Sequence, residues 1–247
     1  MKRFRSTAVA LIGVVALTGT LVIGLTGAQA AAKKKCLGKR ATIFGTQGND
    51  DIEGTRRADV IVGRGGNDRI CGNGGNDTII GDRGDDRIKG GRGGDILRGM
   101  QGKDTMKGGK GKDRLSGISG SDRLFGGPKR DVVSGQKGLD FLYGGPGPDE
   151  VIGGIGTSTD VLRGGPGNDD IEGQSGDDRA YGGIGADLIT GEFGNDMLEG
   201  GEGEDEIMGG NGDDFLDGGP QRDFLGGGEG IDECINGPAT ANCEIPA

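Results

Sequence analysis

Aspartate recurs every nine residues along almost the whole chain. Asp50, Asp59, Asp68, Asp77, Asp86, Asp95, Asp104, Asp113, Asp122, Asp131, Asp140 and Asp149 follow one another without a gap. A two-residue insertion around Gly156-Thr157-Ser158 interrupts the series. It resumes with Asp160, Asp169, Asp178, Asp187, Asp196, Asp205, Asp214, Asp223 and Asp232, which makes 21 copies. Two further columns are locked to the first. A Gly stands five residues before each Asp, as at Gly45, Gly90, Gly144 and Gly209 (Gly153, in the inserted repeat, is offset by two), and an apolar residue stands two after it, from Ile52 to Leu225 and Cys234. No unit this short can bury its own apolar residue, so the chain is restricted to a stack of like units that bury a column together.

Composition removes the alternatives. Sixty of the 247 residues are Gly, nine are aromatic, and neither Trp nor His occurs. Large apolar side chains are therefore too few for a conventional core, and Gly loses the most backbone freedom on folding. Collagen requires Gly at every third residue and abundant Pro, whereas only seven Pro are present. A disordered chain has no fixed apolar spacing. Catalysis also lacks its parts: without His, a Gly-x-Ser-x-Gly elbow or a zinc-binding helix, no enzyme is expected.

The spacing predicts the local structure. An x-U-x triplet, with U apolar, reads as a short strand whose U faces inward. The six Gly-rich residues read as a turn, where Gly permits positive φ and close approach of carbonyls to a cation. Two repeats complete an 18-residue coil, so consecutive strands fall in opposite sheets. Asp50, Asp68, Asp86 and Asp104 then share one edge, and Asp59, Asp77, Asp95 and Asp113 the other. Such rows repel unless a hard cation neutralises them. Ca²⁺ accepts the irregular oxygen shell of a loop, whereas Mg²⁺ demands strict octahedral geometry. A plain turn would accept Asn, Ser or Gly as readily, yet every copy has Asp. EF-hand loops are excluded because Val60 and Arg179 stand where the twelfth-position Glu belongs. Phosphate loops are excluded because no Gly-Lys pair is followed by Ser or Thr.

Written out, the unit is Gly-Gly-x-Gly-x-Asp-x-U-x, and Gly164-Gly165-Pro166-Gly167-Asn168-Asp169-Asp170-Ile171-Glu172 matches it closely. The array resembles the hemolysin-type (RTX) calcium-binding nonapeptide family over residues 45–235. That resemblance implies an all-β parallel β-roll of 21 repeats, two per coil. It also implies several Ca²⁺ ions held between stacked loops by Asp carboxylates and backbone oxygens, with the ligand role carried onto the 21 Asp positions above. The fourth-position Gly is replaced by Arg57, Lys129, Ser158 and Gln221; those loops are expected to hold metal incompletely.

The array is flanked by distinct segments. Residues 1–30 read as a signal peptide: Lys2, Arg3 and Arg5 precede the uncharged run Ala8–Leu25, and Ala28-Gln29-Ala30 supplies a cleavage pattern. The expected mature protein is secreted, with no membrane span after cleavage. Residues 31–44 form an N-terminal cap segment, 45–235 the β-roll and 236–247 a C-terminal cap. Four Cys in an exported chain imply two disulfides. Cys234 occupies a U position and Cys243 falls where the next U would lie, so the two should point inward from facing sheets. Cys36 then pairs with Cys71 by elimination.

Outward positions carry the remaining information. On the sheet that follows Asp122, Asp140, Asp160 and Asp178 they read Arg123, Phe125, Phe141, Tyr143, Val161, Arg163, Arg179 and Tyr181. This is a candidate partner patch for a cell-surface or extracellular polysaccharide, although stacked ladders also serve simply to stiffen a sheet. Nucleic acid is not expected as a partner. The expected function is that of an extracellular calcium-binding repeat protein that folds on Ca²⁺ and serves a structural or interaction role. Adhesion, polysaccharide binding, or service as a non-catalytic partner of a secreted enzyme are the alternatives.

Charge is split along the chain. Residues 1–137 hold 26 Lys and Arg against 14 Asp and Glu, and residues 138–247 hold 3 against 25. Loops of the first half place Lys103, Lys110, Lys112, Lys129 and Arg130 beside their Asp, where loops of the second place Asp177, Glu202, Glu204 and Asp213. Unit charges about 6–8 Å apart interact by about 2–3 kcal/mol at an effective dielectric near 20. Calcium should therefore load first between Gly164 and Asp232 and last between Gly99 and Asp131, with affinities separated by roughly one to two decades. Hydrogen exchange at stepwise calcium concentrations checks this; earlier protection of the basic half would refute it.

Overall fold

The computed structural model describes residues 43–236 without interruption, with the short strands Lys35–Cys36, Lys39–Arg40, Ala239–Ala241 and Cys243–Glu244 at the two ends. The expected signal peptide, and parts of both cap segments, lie outside the described residues. Among the described residues no helix is long and apolar enough to cross a membrane.

The apolar column decides the architecture. All 21 U residues, from Ile52 through Ala180 to Cys234, form one buried cluster, with Ile43 and Cys243 packed at its ends. Stacking coils at strand spacing buries each U between its neighbours in the column and the facing sheet. Two 12-stranded sheets result, each built from every second strand of the chain. All strand pairs within them are parallel. In the first sheet Ile52 pairs with Ile70 and Ile70 with Ile88; in the second Ile61 pairs with Ile79 and Ile79 with Leu97. The chain is thus an all-parallel β-solenoid of about eleven turns with two repeats per turn. Each fully buried Ile or Leu contributes about 1.5–3 kcal/mol relative to exposure.

The strands are longer than the expected triplet. Most cover six residues, as in Arg87–Arg92, where pairing runs on through Gly91 and Gly109 of the next coil. The first Gly of each repeat makes this possible. A Cβ on Gly90 would lie 2.7 Å from the Gly108 carbonyl oxygen one coil on, so any side chain there would hold the coils apart. The true turn shrinks to three residues. The insertion is absorbed at this point: Ile155, Gly156 and Thr157 are exposed, and Phe141 and Leu142 still pair with Val161 and Leu162.

Cys234 and Cys243 form a disulfide with a Cα–Cα distance of 5.6 Å. Its placement differs from the facing-sheet expectation, because Asp232–Ile235 and Cys243–Glu244 are neighbours in the same sheet. The last coil is contracted: Leu225 pairs with Ala239 and the register then shifts before Gly226 meets Ala241. The chain therefore returns to the first sheet by Cys243. Cys71 is a free, half-buried thiol on the strand Arg69–Gly74. The side chain of Cys36, its expected partner, lies outside the described residues.

Closing so short a loop covalently removes roughly 2–3 kcal/mol of unfolded-state entropy in the chain-closure model. Reduction should therefore release amide protection from Phe224 to Glu244 while strands between Thr78 and Glu202 keep theirs. Hydrogen exchange with and without reductant measures this. Uniform loss along the roll would show that the cross-link supports the whole stack instead.

Candidate metal centre

Twenty of the repeat Asp residues, Asp59 to Asp232, are buried, each at 8% exposure or less; Asp50, on the first coil, is half-buried. Backbone geometry holds them. From Asp50 to Asp214 each repeat Asp amide donates to Oδ1 of the Asp one coil later, at 2.8 Å from Asp68 to Asp86 and 2.7 Å from Asp122 to Asp140. Over the same run each Asp carbonyl accepts from the residue that opens the next coil's strand, as Asp68 O does from Arg87 N–H at 2.8 Å. The β-ladder is thereby carried through the turn by side-chain oxygen. The two expected rows exist, one leading into each sheet.

The second carboxylate oxygen is different. In 18 of these residues, from Asp68 to Asp232, Oδ2 is buried and has no hydrogen-bond partner. Burying an ionised oxygen without a partner costs several kcal/mol in effective terms. From Asp68 to Asp223 each open Oδ2 faces the first Gly of its own repeat. A Cβ on Gly200 would lie against Asp205 Oδ2 and 2.7 Å from the Gly218 carbonyl oxygen. Two hard oxygens therefore converge where only Gly leaves room.

Loop conformation distinguishes the first two repeats from those that follow. From Arg64 to Gly228 every second-position residue has positive φ, including Ile118 at 87° and Glu192 at 75°. A β-branched residue there costs roughly 1–3 kcal/mol, so the stack imposes the loop shape against local preference. Thr46 and Thr55, the second-position residues of the first two repeats, are not among the positive-φ residues. Their amides and hydroxyls donate to Oδ2 of Asp50 and Asp59, with Oγ1 distances of 3.0 and 2.9 Å. The Thr-x-x-x-Asp spacing in these two repeats alone was the readable signal.

The four loops lacking a fourth-position Gly divide two and two. The Arg57 loop holds the Thr-bonded Asp59, and Asp160, after Ser158, is not among the residues with an open buried Oδ2. Lys129 adopts φ 90°, and Asp131 and Asp223 keep an open Oδ2 like the rest.

Electrostatics follow from burial. Burial pushes the Asp104, Asp131, Asp149, Asp160, Asp187 and Asp214 carboxyls up to about 7. Asp77, Asp86, Asp122 and Asp178 rise to about 6 for the same reason. The amide from the preceding coil lowers each value in part, and most of these groups feel a like-charged neighbour in the row that raises it. The donors are all oxygen. Among the described residues no group of three or more His, Cys, Asp or Glu side chains could hold a metal ion, so most of a cation's shell would come from backbone carbonyls and water. Ca²⁺ suits such a set better than softer metals do.

The family model of the RTX calcium-binding nonapeptide repeat (4 copies) matches residues 44–79, 80–115, 116–151, 152–189, 163–198 and 199–234. Comparison with curated proteins gives no match.

A carboxyl whose folded value lies above its unfolded value stabilises the fold only while protonated. Without a cation, that stabilisation is fully present below about 3.8 and is lost as pH rises through about 7. In chelator, β-structure should therefore grow as pH falls from 7 towards 4, read by far-UV circular dichroism. A spectrum that stays unordered throughout would show that coil stacking needs the cation's bridging and not only its charge.

Proposed function

Because the chain belongs to the RTX calcium-binding nonapeptide repeat family, we propose that it is an extracellular protein that folds on calcium, with the Asp68-to-Asp232 run as its carboxylate ligands. The observation that carries this reading is the row of 18 buried Oδ2 atoms without a partner. Bound Ca²⁺ supplies positive charge and ties stacked loops together. The chain's own residues do the rest: Oδ1 anchors each Asp to the preceding coil, the first Gly keeps the oxygens accessible, and the U column excludes water behind them. Asp50 and Asp59 stand outside the metal set, because Thr46 and Thr55 already satisfy their second oxygens.

The domain plan fits this reading. Residues 1–30 direct export, 45–235 form the calcium-dependent roll, and the flanking segments cap its ends. The role is structural or interactive. Millimolar extracellular calcium suffices to order such a chain once exported, since each ordered coil templates the next.

Ordering a residue costs about 1–2 kcal/mol in backbone entropy, and the thin U column faces that cost over a Gly-rich chain. Circular dichroism should therefore show little ordered structure in chelator and β-structure at millimolar calcium. Asp50→Asn combined with Asp59→Asn should leave the number of bound ions unchanged, whereas Asp187→Asn should lower it. A far-UV spectrum unaffected by EDTA would sink the folding claim, and a stoichiometry lowered by the Asp50/Asp59 pair would return the first coil to the metal set.

A further inference from the structure

The outward face of the first sheet is sorted by charge in a way that calcium binding does not require. Across seven neighbouring strands, from Arg69–Gly74 to Arg179–Ile184, the two outward positions flanking each U hold seven Lys and Arg, four aromatic residues and no Asp or Glu. The chain as a whole carries a formal charge of −10. Acidic residues return at once on either side of this zone, at Asp51 and Glu53 before it and at Glu199 and Asp217 after it. The second sheet mixes signs over the same coils, with Arg98 and Arg114 sharing its outer face with Glu150 and Glu172.

One column of this face is built from cations and rings alone. Lys107, Phe125, Tyr143, Arg163 and Tyr181 follow in direct register on successive coils. The Lys107 ammonium lies 5.5 Å from the Phe125 ring centroid and the Arg163 guanidinium 4.8 Å from that of Tyr181. Phe125 and Phe141 pack with centroids 5.9 Å apart and planes tilted by 47°. These contacts hold the side chains in place, so little freedom remains to lose on binding. Arg123, Arg163 and Arg179 are exposed, and their forks match carboxylate geometry.

We infer that this face binds an acidic polysaccharide of the uronate class laid along the solenoid axis. The inference rests on the calcium-folded roll, since only stacked coils align the column. Charge complementarity names an anion, and the roughly 30 Å length of the zone at ~4.8 Å per coil names a polymer. Ring geometry selects sugar over nucleobase: three of the four rings, Phe125, Phe141 and Tyr181, are already covered by a cation or by each other, so successive bases find no continuous stack of open rings. A pyranose can instead lie across the ring edges while its carboxylate meets an Arg on the adjacent coil.

The test uses the full calcium-loaded chain, with its β-structure verified by circular dichroism, and short hyaluronate oligosaccharides in calorimetry at low salt. Hyaluronate should bind, neutral cello-oligosaccharides should not, and added salt should weaken the complex. Arg123→Ser with Arg163→Ser should weaken binding roughly tenfold. Arg98→Ser with Arg114→Ser, on the opposite sheet, should leave it unchanged. No binding by folded protein, equal binding of the neutral sugar, equal loss in both variants, or tighter capture of single-stranded nucleic acid or anionic vesicles would overturn the inference. Failure of calcium to induce β-structure would instead strike the folding reading beneath it.

Discussion

Nearly every repeat Asp divides its two carboxylate oxygens between two tasks, and the stack depends on that division. Oδ1 accepts the amide of the Asp one coil earlier, which extends the β-ladder through the turn. Oδ2 is buried and left open in 18 of the residues from Asp68 to Asp232, all but Asp160. The first task could be done by Asn, which has an oxygen in the same place. The second could not, because a neutral amide offers a cation far less. An invariant Asp column is what a stack needs when its turn must serve as both a structural bond and a metal ligand.

Glycine enters for the same reason. In most repeats the first Gly lies under Oδ2 and under the carbonyl of the coil beyond, where a methyl group would touch both, as at Gly90 and Gly200. Second-position residues show the converse. Ile118, Gln136 and Glu192 take a positive φ normally reserved for Gly, because ladder bonds on both sides outweigh a strain of roughly 1–3 kcal/mol. The repeat tolerates many side chains at that position, provided the neighbouring coils are already in place. Cooperativity along the axis follows from this dependence.

The two ends solve the problem of a missing neighbour differently. At the start, Thr46 and Thr55 supply the donors that Oδ2 lacks elsewhere, so the first coil needs no ion to satisfy its carboxylates. At the finish, a contracted coil brings Cys243 beside Cys234 and closes the apolar column with a covalent bond. A metal-independent first coil and a cross-linked last one leave the cation-dependent coils between them.

The sequence by itself determined the period, the apolar column, the two Asp rows and the alignment of Arg123, Phe125, Phe141, Tyr143, Arg163 and Tyr181 on one face. All of these follow from counting, because a nine-residue repeat with two units per coil places residues 18 apart in register. Counting could not show that the strands run to six residues, that Thr46 and Thr55 close their carboxylates, or that Cys234 and Cys243 share a sheet. Those features depend on where a single oxygen or thiol points, which is set by φ at one residue and by the coil next to it. Twenty-one Asp residues look alike along the chain; only the stacked structure separates the carboxylates that are satisfied by protein from those that wait for a cation.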